Sequence, residues 1–263
     1  MRQAAILLRP EPHYRADAFA AGLQRLGYQI NYPKTVGPDD VLVLWNRKPR
    51  TEGDIRRFHA AGARVLICEN GYIGQDAKGQ QLYAIALDGH NGSGRWEVGG
   101  PERWHERGID CKPWQAEKRG HIVVFAQRGI GSKDMASPNQ WDSRTAGALR
   151  VETGREVIIY SHPGLPACHP RIADEVARQV EGAYCVVVWA SARGVRALVE
   201  GVPVVYHAPH WIAGKAASHG VLTRRMGDRL PAFVDLAWAQ WTLEEIAAGV
   251  PFTRLLELPR VAA

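Results

Sequence analysis

An α/β protein of two similar halves, each an open sheet with helices on its faces, is the fold class that this 263-residue sequence predicts. Three observations carry that expectation. Apolar β-branched runs recur along the chain, helix-period stretches lie between them, and each run breaks into Gly, Asn, His, Ser or Arg at its C-terminal end. The third bears on function, because an open α/β sheet binds ligands at the carboxyl ends of its strands.

Ala4 to Arg9 reads as a short strand, and residues 15–26 as a helix with Phe19, Leu23 and Leu26 on one face and Gly27 as its stop. Strand, helix and glycine stop open a βαβ unit. The continuous VLVLW run from Val41 to Trp45 suits a strand buried on both faces of a parallel sheet. It ends in the basic loop Asn46-Arg47-Lys48-Pro49-Arg50. A helix over 52–61 leads to a strand over 63–68, which breaks into Glu69-Asn70-Gly71-Tyr72. The next strand, Tyr83 to Leu87, ends in Asp88-Gly89-His90-Asn91-Gly92-Ser93-Gly94-Arg95-Trp96. Three glycines within six residues free that backbone, while Asp, His, Asn and Arg supply a base, donors and an anion contact, so the loop is a candidate site.

Residues 99–120 are rich in charge and Trp without a clear period, and they hold the expected boundary between a first domain, 1–115, and a second, 116–263. The second repeats the alternation, with strands over 121–126, 156–160, 184–189 and 202–206 and helices over 135–149, 170–181 and 193–200. Its first strand runs into Gly129-Ile130-Gly131-Ser132-Lys133, where two glycines allow close backbone approach and Lys133 and Arg128 bring positive charge. That turn is a candidate phosphate cradle, although it matches neither the dinucleotide nor the P-loop fingerprint. The following strands end in His162-Pro163 and Ser191-Ala192-Arg193-Gly194. The tail from Asp235 to Gly249 spaces its apolar residues as one helix that packs back on the domains, its tryptophans serving the core.

The 33 Lys and Arg against 27 Asp and Glu give a net charge of +6, which suits an anionic partner such as a nucleotide or nucleic acid. Cys68, Cys111, Cys168 and Cys185 are widely spaced, with no C-x-x-C, which argues against a zinc knuckle or a redox pair. The apolar run near Met1 is too short for a signal sequence or a membrane span, so a cytoplasmic protein with no membrane association is expected. A Ser-His-Asp hydrolase is disfavoured, because Ser161-His162 lacks the G-x-S-x-G elbow.

The stretch SARGVRALVEGVP, Ser191 to Pro203, resembles a pattern of GT-B fold glycosyltransferases, in which a serine after a strand opens a helix that closes with Ala-Leu-x-x-Gly-x-Pro-Val, here Ala197 to Val204. His162-Pro163 resembles the His-Pro found beyond a strand in several polysaccharide glycosyltransferases. The runs Glu69 to Gly74 and Asp88 to Gly92 are similar to those of small bacteriophage proteins grouped with glycosyltransferases, some of which modify DNA. The resemblance implies two Rossmann-like domains facing across a cleft, an acceptor in the first and a nucleotide-sugar donor in the second. The donor would meet Arg128, Gly129, Gly131, Ser132, Lys133, His162, Ser191, Arg193, Arg196 and Glu200. One departure is notable. The family places Glu before Ala-Leu to hold the donor ribose, whereas this chain has Arg196 there and Glu200 one turn later.

The implied reaction moves a sugar to a hydroxyl, with Asp88 as the first choice of base, His90 next and Glu69 third. No Asp-x-Asp occurs, so cations rather than a bound metal would stabilise the leaving diphosphate. With a hydroxymethylated pyrimidine of phage double-stranded DNA as acceptor, in the host cytoplasm, Arg47, Lys48, Arg50 and Arg95 would meet phosphates and Tyr72 or Trp96 would stack on a flipped base. The alternatives are a saccharide or small-molecule acceptor, and a non-catalytic nucleotide-binding or nucleic-acid-binding protein of the same fold.

Overall fold

The computed structural model describes residues 1–115, 119–166 and 168–260. The expected domain boundary at 115/116 abuts residues 116–118, which lie outside the described residues. Two sheets form, with helices packed against both. The first is built by β1 (Gln3–Leu7), α1 (Ala16–Arg25), β2 (Gln29–Ile30), β3 (Val41–Trp45), α2 (Glu52–Ala60), β4 (Arg64–Gln75) and β5 (Gln81–Leu87). A short helix, α3 (Glu102–His105), lies in the connection. The second sheet is built by β6 (Ile122–Phe125), α4 (Trp141–Thr153), β7 (Val157–Tyr160), α5 (Pro170–Gln179), β8 (Cys185–Val188), α6 (Arg193–Val199), β9 (Val204–Tyr206) and β10 (Ser218–His219). The tail adds α7 (Leu230–Ala239), β11 (Gln240–Trp241), α8 (Leu243–Ala248) and α9 (Val250–Glu257).

The second sheet, ordered β10-β9-β8-β6-β7, is parallel throughout. Its central strands are continuous apolar runs because both faces are covered: every residue of β6 and β8 is buried. The first sheet, ordered β11-β5-β4-β3-β1-β2, is parallel from β2 to β4, but β5 runs against them, so that it pairs antiparallel with both β4 and β11. β4 does not stop at Cys68 as the sequence suggests. It continues through the polar Glu69-Asn70-Gly71-Tyr72 to Gln75 and turns back as a hairpin into β5, with its register shifting between Asn70 and Gln75. Gly71 permits that close pairing, since a Cβ there would lie 2.8 Å from the Leu82 carbonyl oxygen.

The tail is not one helix over 235–249. It breaks after Ala239 into β11, which joins the edge of the first sheet against β5, and two short helices close on α1. Gly22 makes room for them: a Cβ there would fall 2.0 Å from the Ile246 carbonyl oxygen. Return of the tail brings the fully buried Gln240 beside the irregular part of β4. Its side-chain oxygen accepts from Tyr72 N–H at 2.9 Å and Ile73 N–H at 3.4 Å, and its amide donates to Ile73 C=O at 2.8 Å. Arg103 of α3 ties down the same turn through Glu245 and the Ala237 and Gln240 carbonyls. A single buried cluster then runs from Tyr72, Ile73 and Trp104 into α6 and the second sheet, so both sheets share a core.

Replacing Gln240 by Met keeps the volume and removes all three hydrogen bonds. Two buried N–H groups and a carbonyl lose their partner, and urea unfolding of Gln240→Met is expected to show a loss of about 2–4 kcal/mol with an unchanged m-value.

Candidate functional site

A cleft of about 600 Å³ lies between the two sheets. Its position follows from topology. In the first sheet the chain leaves β1 for β2 on one side and then crosses to β3 on the other, while in the second β6 stands between β7 and β8. Each sheet therefore has a crevice where the strand order reverses, beyond the carboxyl ends of its strands. The cleft is lined from the first half by His13, Tyr14, Trp45 and Asn46, and from the second by Gln127, Arg128, Ala190 and Ser191, residues that follow those strands.

The second-sheet wall is cationic and rich in main chain. Arg193, only 3% exposed, lies across the ends of β6 and β7, donating to Ala126 C=O at 3.0 Å, Ser161 C=O at 3.0 Å and Tyr160 C=O at 3.2 Å, with its guanidinium 4.2 Å over the Phe125 ring. Burial lowers its pKa to about 10, so it stays charged at neutral pH. The His162 Nδ1 accepts from Gly164 N–H at 3.0 Å, and the His169 Nδ1 accepts from Arg171 N–H at 3.2 Å. Either ring, when neutral, then carries its proton on Nε2 as a donor. Burial, with Arg128 and Arg193 nearby, pushes His162 down to about 4.

The first-sheet wall carries the one carboxylate among the described residues lining the cleft, Glu69. It sits in the continued part of β4, and its Oε1 accepts from the Tyr72 hydroxyl at 2.6 Å and from Asn91 N–H at 2.8 Å. Burial, reinforced by Glu69, raises the Tyr72 phenol well above its usual value and keeps it a neutral donor. Asn91 also donates its side-chain amide to Ala190 C=O across the junction, tying the loop after β5 to the end of β8. His90 lines the same wall, 7% exposed, with Nδ1 unpartnered. Beside them Trp45 stacks edge-on against Tyr14 at 4.8 Å, and His13 lies 3.9 Å from that ring.

Of the expected site residues, the fold brings Glu69, His90, Tyr72, Arg128, His162, Ser191 and Arg193 to the cleft. Asp88 lies elsewhere. Because β5 is antiparallel, its carboxyl end falls beside Val65, at the start of β4, where Asp88 N–H meets the Val65 carbonyl at 2.9 Å. The Asp88 oxygens receive His59 Nε2 and Arg95, each at 2.9 Å. Burial works to raise its carboxyl, but those two hydrogen bonds hold it below its usual value. Arg196 and Lys112 both pair with the buried Glu200, at 2.6 and 2.5 Å, so the two helix positions close a junction rather than line the cleft. Gly129 and Gly131 line a neighbouring hollow with Lys48 and Arg50, while Ser132 and the exposed Lys133 do not line the cleft.

The expected DNA contacts are largely engaged in the fold. Arg47 is held by Glu52 at 2.8 and 2.9 Å and by the Asp88 carbonyl, and Arg95 by Asp88. Tyr72 is 4% exposed and presents no free face to a base, and the half-buried Trp96 packs against both cores with its indole N–H on the Asp235 carbonyl at 3.0 Å. Sequence reading passed over Gln127, Trp45, Asn46 and His169 as site residues. Gln127 and Asn46 stand just past strand ends, a signal that was legible, whereas His169 comes to the cleft through a loop with no pattern of its own.

His162 also gives a pH test. Its folded pKa of about 4 lies below an unfolded value near 6.5, so between these the unfolded chain holds the extra proton. The contribution is whole above pH 6.5 and is lost as pH falls towards 4. Thermal unfolding across pH 4–7.5 should show the native chain losing more stability on acidification than His162→Asn, which keeps an acceptor for Gly164. Equal pH slopes would remove this role.

No family model matches the chain, and no curated protein matches it. Similarity appears among solved structures. A Thermosulfurimonas dismutans KpsC structure, described as a beta Kdo 2,4 transferase, aligns with a TM-score of 0.56 at 14% identity, covering 90% of each chain. A second, described as a beta Kdo 2,7 transferase from the same protein, aligns with a TM-score of 0.55 at 14% identity, covering 96% of this chain and 99% of the other. At that identity the likeness establishes the fold: mixed α/β, with two sheets.

Proposed function

We propose that the protein is a glycosyltransferase of GT-B type that moves a sugar from a nucleotide-activated donor to a hydroxyl of a saccharide acceptor. One observation carries this reading above the others. The cleft joins the carboxyl ends of both sheets, with cations and main chain on one wall and a single fixed carboxylate, Glu69, on the other. The likeness to two Kdo transferases over nearly the whole chain supports it.

In this reading the donor phosphate lies against Arg128, His162 and His169, with Arg193 as a buried positive charge behind them. Glu69 accepts the proton of the acceptor hydroxyl. The acceptor oxygen forms its bond to the anomeric carbon as the bond to the donor phosphate breaks, and the departing phosphate takes the electron pair. The second-sheet wall stabilises the charge that develops there. Tyr72 and Asn91 hold one Glu69 oxygen, which fixes the carboxylate and leaves the other for the hydroxyl. Trp45 and His13, with the amides of Asn46, Asn70 and Gln81, provide ring faces and planar hydrogen-bonding groups suited to a sugar. That wall favours a saccharide over DNA, since two of the arginines expected to meet DNA, Arg47 and Arg95, are paired with Glu52 and Asp88 and Tyr72 is buried.

The test is mass spectrometry of reactions containing a panel of nucleotide sugars, with oligosaccharides and hydroxymethylated DNA as competing acceptors. Sugar is expected on the saccharide. Glu69→Gln should lower kcat by about 10²–10⁴-fold while nucleotide binding is unchanged, whereas Asp88→Asn should cost stability and leave the turnover of folded protein within a few-fold. Turnover that collapses in Asp88→Asn but survives in Glu69→Gln would reverse the assignment of the base. Exclusive modification of DNA would overturn the saccharide reading.

A further inference from the structure

At the mouth of the cleft a second hollow, of about 460 Å³, opens between the halves. Arg9, Lys48 and Arg50 line it from the first half, from the loops after β1 and β3. The turn Gly129-Ile130-Gly131 lines it from the second, and Ile130 forms the ridge shared with the main cleft. Arg128 stands next in the chain to that turn. Among the described residues no carboxylate lines the hollow, and none lies within ion-pair distance of Arg9, Lys48, Arg50 or Arg128.

The adjacent Arg47 makes the contrast, since Glu52 grips it with both oxygens. Lys48 shows the consequence of crowding: burial lowers its ammonium pKa, and Arg50, Arg9 and Arg128 lower it further. Those cations come from three separate loops on two sheets. Holding them together costs free energy unless an anion lies among them. The turn facing them is built for close approach of main chain, with Gly129 at φ 62°.

We propose that this hollow is a second anion site, distinct from the sugar-transfer cleft, that takes a phosphate or phosphate ester bridging the cations of the first half and the glycine turn of the second. Two arginines and a lysine around one concavity, facing a glycine turn, match the several oxygens and the double charge of that group. The site stands on its own geometry and does not require the transferase reading.

Calorimetric titration of the full chain with inorganic pyrophosphate at low salt tests it. Lys48→Gln/Arg50→Gln is expected to weaken binding at least tenfold. Arg25→Gln/Arg56→Gln, which removes the same charge from exposed positions elsewhere, should change it less than twofold. A third variant, His162→Asn/His169→Asn, alters the donor wall and should leave the component that depends on Lys48 and Arg50 intact. Equal weakening in the two charge-removal variants would reduce the effect to net charge and overturn the proposal. Complete loss in the histidine variant would place the anion in the main cleft and also overturn it. Glucose 6-phosphate then separates the sources. Binding tighter than inorganic phosphate that vanishes in Lys48→Gln/Arg50→Gln supports a phosphate carried on a sugar, and equal affinity supports free phosphate.

Discussion

At Gly92 a Cβ would lie 2.5 Å from the Trp211 carbonyl carbon and 2.7 Å from the Ile212 nitrogen, so the loop after β5 presses main chain against main chain where the halves meet. The approach is possible only without a side chain, and the backbone there, at φ 90°, favours glycine as well. From this contact the rest of the site follows. Asn91, one residue earlier, reaches Ala190 at the end of β8 with its side chain while its N–H fixes Glu69, so the distance between the two walls and the orientation of the carboxylate are set by one residue. Gln240 supports the same corner from behind, satisfying the backbone of β4 where its register fails.

The walls divide the electrostatic work. On the second sheet Arg193 spends its hydrogen bonds on three carbonyls at strand ends and has no acid within ion-pair distance among the described residues, with Glu175 acting on it only from further off. A buried cation held this way is expensive, and its lowered pKa is the measure of that cost. On the first sheet Arg47 is neutralised by Glu52 and Arg95 by Asp88, whereas Arg9, Lys48 and Arg50 at the mouth have no acid within ion-pair distance among the described residues. Among the described residues, positive charge is thus left unpaired on the second-sheet wall and at the mouth, and the Glu69 carboxylate faces it from the first sheet.

Much of the second half was legible because its signals are local. Parallel strands buried on both faces must be continuous apolar runs, and IVVF and CVVV are. The helix start at Pro170 and the stop at Gly27 also fell where local backbone chemistry requires them, whereas the helix expected over 135–149 runs Trp141–Thr153. The first half was harder, since its distinguishing features are long-range. Glu69-Asn70-Gly71-Tyr72 has the composition of a turn, yet it stays in a strand because β5 pairs it and Gln240, distant in sequence, repairs it. The break of the tail after Ala239 has the same origin: an apolar helical period continues, but an open sheet edge takes Gln240 and Trp241 as a strand.

Direction of a strand decides which carboxylate reaches the cleft. Read as parallel, β5 would deliver Asp88 to the functional edge along with the other strand ends, and its neighbours His90 and Arg95 would make it the natural base. Reversal of β5 puts that end at the opposite edge, where Asp88 takes a left-handed backbone at φ 66° and locks between His59 and Arg95. The chain then turns back, through the glycines of the loop, and returns His90 and Asn91 to the cleft. Glu69 reaches the cleft by the other consequence of the same hairpin, the extension of β4 past the edge where its parallel neighbours end. One antiparallel strand thus withdraws the acid with the richest sequence context and supplies the one with the poorest.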